Sequence, residues 1–351
     1  MKQWFVRTAA AWIVAAVLFY VPAKASVVVS ARSAVLMDAA TGRVLWEKQA
    51  QEQALIASTT KIMTGLLITE DCDLNAEVRI PKAAVGIEGS SLYLKEGEVL
   101  TVEALLYGMM LRSGNDAATA LAIHHSGSVE HFAETMNRKA RLLGLTNTSY
   151  ANPHGLDSEE NYSTALDLAR LTACAMDNPV FYKVVSTRSI RFGERTFTNH
   201  NKLLWQYDGA VGVKTGYTRS AGRILVSCAE RDGRRLIAVT ISAPDDWNDH
   251  KKLLDHGFSK FSDRELVLAG QVCGLVSVIG GVKQEAPAAA SAAFSYPAAV
   301  GEKLRVCHVL PKFVYAPVMA GAQAGMAIVY LNEKEIGRVP LVWRDTVMEE
   351  A

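Results

Sequence analysis

Arg223-Ile224-Leu225-Val226-Ser227-Cys228, then Glu230-Arg231-Asp232-Gly233, then Leu236-Ile237-Ala238-Val239-Thr240-Ile241 read as two apolar, β-branched strands about a polar turn, the pattern of a hairpin. Near the start of the chain, 34–38 and 44–47 repeat the signal across the turn Ala39-Ala40-Thr41-Gly42-Arg43. Between these pairs lie segments of helical period, at 60–70, 102–111, 117–124, 129–143 and 163–176. Strands outside and helices inside predict an α+β domain whose mostly antiparallel sheet is packed with helices.

Beyond this region the texture changes twice. After a last helical segment at 249–257, short apolar runs at 276–279, 303–309, 326–331 and 336–342 alternate with Gly-containing turns, which predicts a small all-β domain. The Ala-rich stretch 286–293 reads as a loop inside that domain or a linker leading into it. At the other end, Lys2 and Arg7 precede the apolar run 9–21, and Ala23-Lys24-Ala25 puts small residues where a signal peptidase reads, predicting cleavage before Ser26. The alternative is a membrane anchor, which needs about 20 apolar residues, more than this run supplies. Either way the body of the chain is expected outside the cytoplasm. The expected division is a signal peptide at 1–25, a first domain at 26–262 and a β-rich domain at 263–345.

The 351 residues, 50% hydrophobic and 21% charged, are enough to bury a sizeable core and to form two domains. A formal net charge of +1 and the lack of a basic run give no reason to expect nucleic acid as a partner. The five cysteines, Cys72, Cys174, Cys228, Cys273 and Cys307, are few and odd in number, which argues against a disulfide framework in an exported protein. Cys174 and Cys228 sit in apolar segments and read as buried small hydrophobes. Whether Cys273 and Cys307 pair is left open.

Three short motifs carry the chemistry: Ser58-Thr59-Thr60-Lys61, Ser113-Gly114-Asn115 and Lys214-Thr215-Gly216. Ser58 precedes the apolar-periodic Ile62, Met63, Leu66 and Leu67, so it belongs at or near a helix N-terminus with Lys61 one turn on. That spacing puts a hydroxyl and an amine within reach of each other. The amine acts as a base only when neutral, which requires burial or a neighbouring cation, and Lys214 is the candidate neighbour. Ser113-Gly114-Asn115 interrupts two helical segments and would project its two polar side chains together. Lys214-Thr215-Gly216 follows the strand-like 210–213, where Gly216 permits close approach of a substrate backbone. Each motif alone has a plain structural reading: a helix cap, an interhelical loop, a strand end. Their order and joint presence is the signal.

With these motifs the chain resembles the serine-type D-alanyl-D-alanine carboxypeptidases, the low-molecular-mass penicillin-binding proteins. The resemblance extends to Gly89-Ser90-Ser91-Leu92-Tyr93-Leu94, Leu111-Arg112 before Ser113, Ala151-Asn152-Pro153-His154-Gly155-Leu156 and Tyr162-Ser163-Thr164-Ala165, and runs from about Ser30 to His256. The β-rich tail is similar, less distinctly, to the second domain of many members. The resemblance implies a serine β-lactamase/transpeptidase-like fold in the first domain. It also implies that Ser58 attacks the D-Ala-D-Ala carbonyl while neutral Lys61 takes its proton. Ser113 would relay a proton to the leaving amine, and Asn115 would bind the substrate amide and hold Lys61. Lys214 and Thr215 would receive the terminal carboxylate, with Gly216 lining the strand. The N–H groups of Ser58 and Tyr217 would form the oxyanion hole, worth about 2.7–4 kcal/mol per donor in comparable sites. The implied partners are peptidoglycan stem peptides, with β-lactam antibiotics as covalent inhibitors; the chemistry calls for no metal ion or cofactor.

Two features depart from the family. Certain relatives carry an arginine near the carboxylate in the segment matching Ala243-Pro244-Asp245-Asp246-Trp247-Asn248, and this segment has none. The acidic end Asp345-Thr346-Val347-Met348-Glu349-Glu350-Ala351 lacks the basic, apolar-faced pattern of a helix that lies on a membrane, so membrane attachment is left open. The alternatives are a cross-link-cleaving DD-endopeptidase using the same residues, a serine β-lactamase, and a catalytically idle cell-wall peptide-binding module. Against the second stands the lack of a Glu-x-x-Leu-Asn segment between Asn115 and Lys214; against the third, the presence of every reactive side chain. His124, His125 and His131 match no zinc signature, and His154 lies in a Pro-Gly turn where a structural role is expected.

Overall fold

The computed structural model describes residues 27–351; the signal-peptide expectation for 1–25 lies outside them. The first unit is built on a five-stranded sheet of β1 (Ser33–Asp38), β2 (Val44–Lys48), β3 (Ala210–Thr218), β4 (Gly222–Arg231) and β5 (Arg234–Ile241), in the order β2-β1-β5-β4-β3. Every neighbouring pair is antiparallel. The two strand pairs expected from sequence are hairpins, and β1 joins them by pairing with β5. In the first turn, Asp38 Oδ1 accepts from Thr41 N at 3.0 Å and Thr41 Oγ1 at 2.7 Å.

Strand alternation makes the sheet two-sided. Val35, Met37, Ile237, Val239 and Ile241 face one core, while Ala34, Leu36, Leu236 and Ala238 face another. The first core is closed by α1 (Lys61–Asp71), α2 (Val102–Arg112), α3 (Asn115–Ser126), α4 (Val129–Leu142), α5 (Ala165–Asp177) and α6 (Pro179–Ser186). The second takes Leu203 of the short α7 (Leu203–Gln206) and Leu253 and Leu254 of α8 (Asp246–Lys260). Each fully buried Leu or Ile of these layers contributes about 1.5–3 kcal/mol. Four of these helices begin at side-chain caps: Thr101, Ser128, Thr164 and Asn178 accept from backbone N–H groups in the first turns of α2, α4, α5 and α6. On α8, buried Asp249 accepts from Ser30 N, Ser30 Oγ and Ala31 N, and buried His250 lies 2.5 Å from Ser227 Oγ and 2.9 Å from Thr240 Oγ1.

The second unit is all β. Strands β6 (Phe261–Val267) and β9 (Phe294–Ala299) pair with each other. A six-stranded sheet runs β10-β12-β13-β8-β7-β11, built from β7 (Val272–Ile279), β8 (Glu285–Ala290), β10 (Leu304–Val309), β11 (Phe313–Tyr315), β12 (Gln323–Leu331) and β13 (Lys334–Trp343). The Ala-rich stretch is corrected here: most of it is β8, an interior strand rather than a loop or linker. Ala286, Ala288, Ala289 and Ala290 are all buried, so both faces are covered and only small side chains fit. Cys174 is also less buried than expected, and only Cys228 of its pair is fully enclosed; all five cysteines are free thiols.

The units meet at both hairpin turns: Arg234 donates to Phe261 O at 2.7 Å and lies 3.3 Å from Asp263, and the first turn supplies Arg43. Arg43 donates to Pro297 O and pairs with Glu302, with its guanidinium 5.2 Å from the Phe261 ring centre and 5.1 Å from that of Tyr296. No helix among the described residues is long and apolar enough to cross a membrane.

Candidate active site

Ser58 stands in a single 3-10 turn (Ala57–Thr60) that leads directly into α1, which places Lys61 at the first position of that helix. The turn is wedged between the edge strand β3 and the Pro153–Gly155 loop. At Gly155 the backbone has φ +88°, and a Cβ there would sit 1.8 Å from Ala57 O, so only glycine lets this loop close on the Ser58 turn. At Gly216 a Cβ would lie 3.3 Å from Ser58 N, which makes β3 pack against the turn at backbone distance.

Lys61 is fully buried, and its Nζ lies 3.2 Å from Ser58 Oγ, 2.6 Å from Asn115 Oδ1 and 2.6 Å from His154 O. The amide and carbonyl oxygens can only accept. A neutral amine therefore donates both of its protons to them and turns its lone pair to the Ser58 hydroxyl. Burial holds the Lys61 pKa well below the usual lysine range; the charge of Lys214 pushes the same way, and Asp116 opposes both. His154 is pushed down to about 3 by burial and by Lys61, so its ring is neutral and its contribution is the carbonyl.

Ser113 ends α2 in the left-handed conformation at φ 64°, and Asn115 opens α3 after the single residue Gly114. The Asn115 side chain is used at both ends: Oδ1 accepts from Lys61, and Nδ2 donates to Glu88 O at 2.6 Å. Its neighbour Asp116 is buried and accepts from Ser91 Oγ, Leu92 N and Leu94 N, tying the Ser90 segment down over the site. Lys214 donates to Ser113 Oγ at 3.1 Å and Thr215 O at 2.9 Å. It is 1% exposed, and burial pushes its pKa down to about 7. Lys214-Thr215-Gly216 lies within β3 rather than past its end.

The three motifs thus meet in one groove of about 330 Å³. Ser58, Ser113, Thr215, Gly216 and Tyr217 line it, with Lys61, Asn115 and Lys214 behind them. Tyr217 projects outward, 66% exposed. The wall also holds Ser90, His200, Lys202, Arg223, Asp246 and Trp247, none of which stood out as site residues in the sequence. For Arg223 a signal existed: it follows a turn glycine on the strand next to the Lys-Thr-Gly strand, but its register opposite Tyr217 is a property of the folded sheet. His200 is pushed down to about 4 by burial and by the charges of Lys214 and Arg112, so it is neutral near pH 7. The arrangement supplies a hydroxyl with an adjacent neutral base, a second hydroxyl backed by a lysine, and an open strand edge along which a peptide can lie.

Comparison with known proteins bears on the family and the fold. The family model described as D-alanyl-D-alanine carboxypeptidase matches residues 21–245, and that of the penicillin-binding protein 5 C-terminal domain matches residues 261–349. The D-alanyl-D-alanine carboxypeptidase DacF of Bacillus subtilis is 34% identical over 90% of this chain and 85% of its own length. DacC of Escherichia coli is 35% identical over 92% and 85%. The crystal structure of penicillin binding protein 5 from Haemophilus influenzae superposes with a TM-score of 0.79 at 32% identity, covering 92% of this chain and 98% of that one.

Proposed function

The chain belongs to the D-alanyl-D-alanine carboxypeptidase family, and from that membership we propose that it is an exported serine carboxypeptidase that removes the terminal D-alanine from peptidoglycan stem pentapeptides through an acyl-enzyme on Ser58. The observation that carries this reading is the Lys61 environment: a buried amine 3.2 Å from Ser58 Oγ, whose other two partners are pure acceptors. In the proposed reaction the substrate backbone lies along β3. Ser58 Oγ attacks the carbonyl of the penultimate D-alanine as its proton passes to Lys61 Nζ, and the resulting oxyanion is held by the N–H groups of Ser58 and Tyr217. Collapse expels D-alanine, its amine taking a proton through Ser113, whose hydroxyl is backed by Lys214. Water then attacks the ester, Lys61 again accepts the proton, and Ser58 leaves as a hydroxyl. β-Lactams acylate the same serine.

The proposed organisation is a signal peptide at 1–25, a catalytic domain at 26–262 and a β-rich domain at 263–345, with the enzyme acting outside the cytoplasmic membrane. The test is intact-mass spectrometry after exposure to penicillin, with peptide mapping, beside D-alanine release from a pentapeptide ending in D-Ala-D-Ala. A stable adduct on Ser58 with D-alanine released is the expected result. Rapid turnover of penicillin instead favours a β-lactamase, and neither adduct nor D-alanine favours the idle binding module.

A further inference from the structure

A carboxypeptidase must recognise a free carboxylate, and the lysine expected to do so is poorly placed for it. Lys214 is sealed behind Ser113 and spends donors on Ser113 Oγ and Thr215 O. Arg223 differs in each respect. Its register partner on β3 is Tyr217, two residues from Thr215, so by strand alternation Arg223, Tyr217 and Thr215 share one face of the sheet. Its side chain is 44% exposed and lines the groove together with Ser58 and Thr215.

The guanidinium is also held. Its Nη2 donates to Asp246 Oδ1 at 2.8 Å and Oδ2 at 2.9 Å, and its centre lies 6.0 Å from the Trp247 ring centre. Asp246 is itself 4% exposed and fixed by Trp247 N at 2.9 Å. Nη2 alone meets Asp246, so among the described residues Nε and Nη1 have no hydrogen-bonding partner. The N–H donors left on Nε and Nη1 of a cationic, fixed guanidinium suit a carboxylate oxygen. Lys202, the other charged base of the groove wall, is exposed and has no comparable brace.

We propose that Arg223, oriented by Asp246, is the specificity-determining cation of this groove, receiving the substrate's free terminal carboxylate together with the Thr215 hydroxyl. The assignment rests on the carboxypeptidase reading above. It means that the segment 243–248, which lacks an arginine of its own, supplies instead the acid that positions one from β4. Asp246 balances the guanidinium charge while the groove is empty.

The test compares diacetyl-L-Lys-D-Ala-D-Ala with its C-terminal amide. Wild type is expected to prefer the acid. Arg223→Gln should lower kcat/KM for the acid by about 10- to 100-fold, the range of a lost charge-assisted contact, and leave the amide within about twofold. Arg223→Lys should keep part of the acid preference, and it serves as the second variant where Gln impairs folding. An acid preference that survives Arg223→Gln, or equal losses on acid and amide in both variants, overturns the assignment and leaves the carboxypeptidase reading standing. Failure of the wild type to release D-alanine from the acid overturns that reading, and this inference with it.

Discussion

The two halves of the molecule treat buried polarity in opposite ways. Among the described residues, every buried polar or charged side chain lies at or before His250: Lys61, Ser113, Asn115, Asp116, Lys214, Asp246 and Asp249 are examples. The β-rich unit after it has a core of valine, alanine and leucine with Trp343, and no buried polar side chain at all. Enclosing an amine or a carboxylate costs several kcal/mol unless each is fully hydrogen-bonded. The first unit bears that cost at the groove and beyond it, and the burial that penalises the Lys61 ammonium is also what lowers its pKa toward that of the base proposed above. The second unit encloses apolar side chains alone and so carries no such cost.

The contrast breaks first at Lys61. Lys61→Met is expected to slow acylation by penicillin by about 10²- to 10⁴-fold, the usual scale for a lost general base, while the relief of a desolvated amine offsets part of the cost of leaving Asn115 Oδ1 and His154 O without a donor. Acylation within tenfold of wild type would show that the base is elsewhere. The reverse experiment puts a charge where the molecule tolerates none. Ala288→Asp, in the sealed interior of β8, should destabilise the β-rich unit by several kcal/mol with acylation of Ser58 retained, as read by calorimetry beside a penicillin-binding assay. Simultaneous loss of both would mean that the two units fold as one.

A subtler distinction is acid sensitivity. His250 is fully buried and pushed down to about 3, so it stays neutral in the folded protein while the unfolded chain takes up a proton below about 6.5. The stability this supplies is complete above pH 6.5 and lost as the pH falls toward 3, on the order of 3 kcal/mol by pH 4. His154 acts in the same sense. Denaturant titrations at pH 7 and pH 4 should show the loss in the first unit and spare the second; equal slopes for both would refute the assignment to these histidines.

Much of this organisation was legible in the chain itself. The hairpins around 39–43 and 230–233 announce themselves by alternation and turn chemistry, and the three motifs by order and spacing. Strand β8 was not legible, because alanine has little strand preference and a strand covered on both faces loses the alternation that marks one. The short α6 and α7 hold too few turns to show a period. Arg223 was missed for a deeper reason. Its place beside Thr215 depends on the pairing of two strands and on Asp246 reaching it from α8, a relation between three segments that no local pattern encodes.

The Arg43 contact has a consequence for the molecule's dimensions. Hairpin turns are ordinarily where a chain can gain or lose a residue with least effect. This one carries a guanidinium sandwiched between Phe261 and Tyr296 of the second unit, so its length is an index pin. One residue more in 39–43 would lift the pin from its seat and leave the Arg234 contacts to Phe261 O and Asp263 to hold the two units in register.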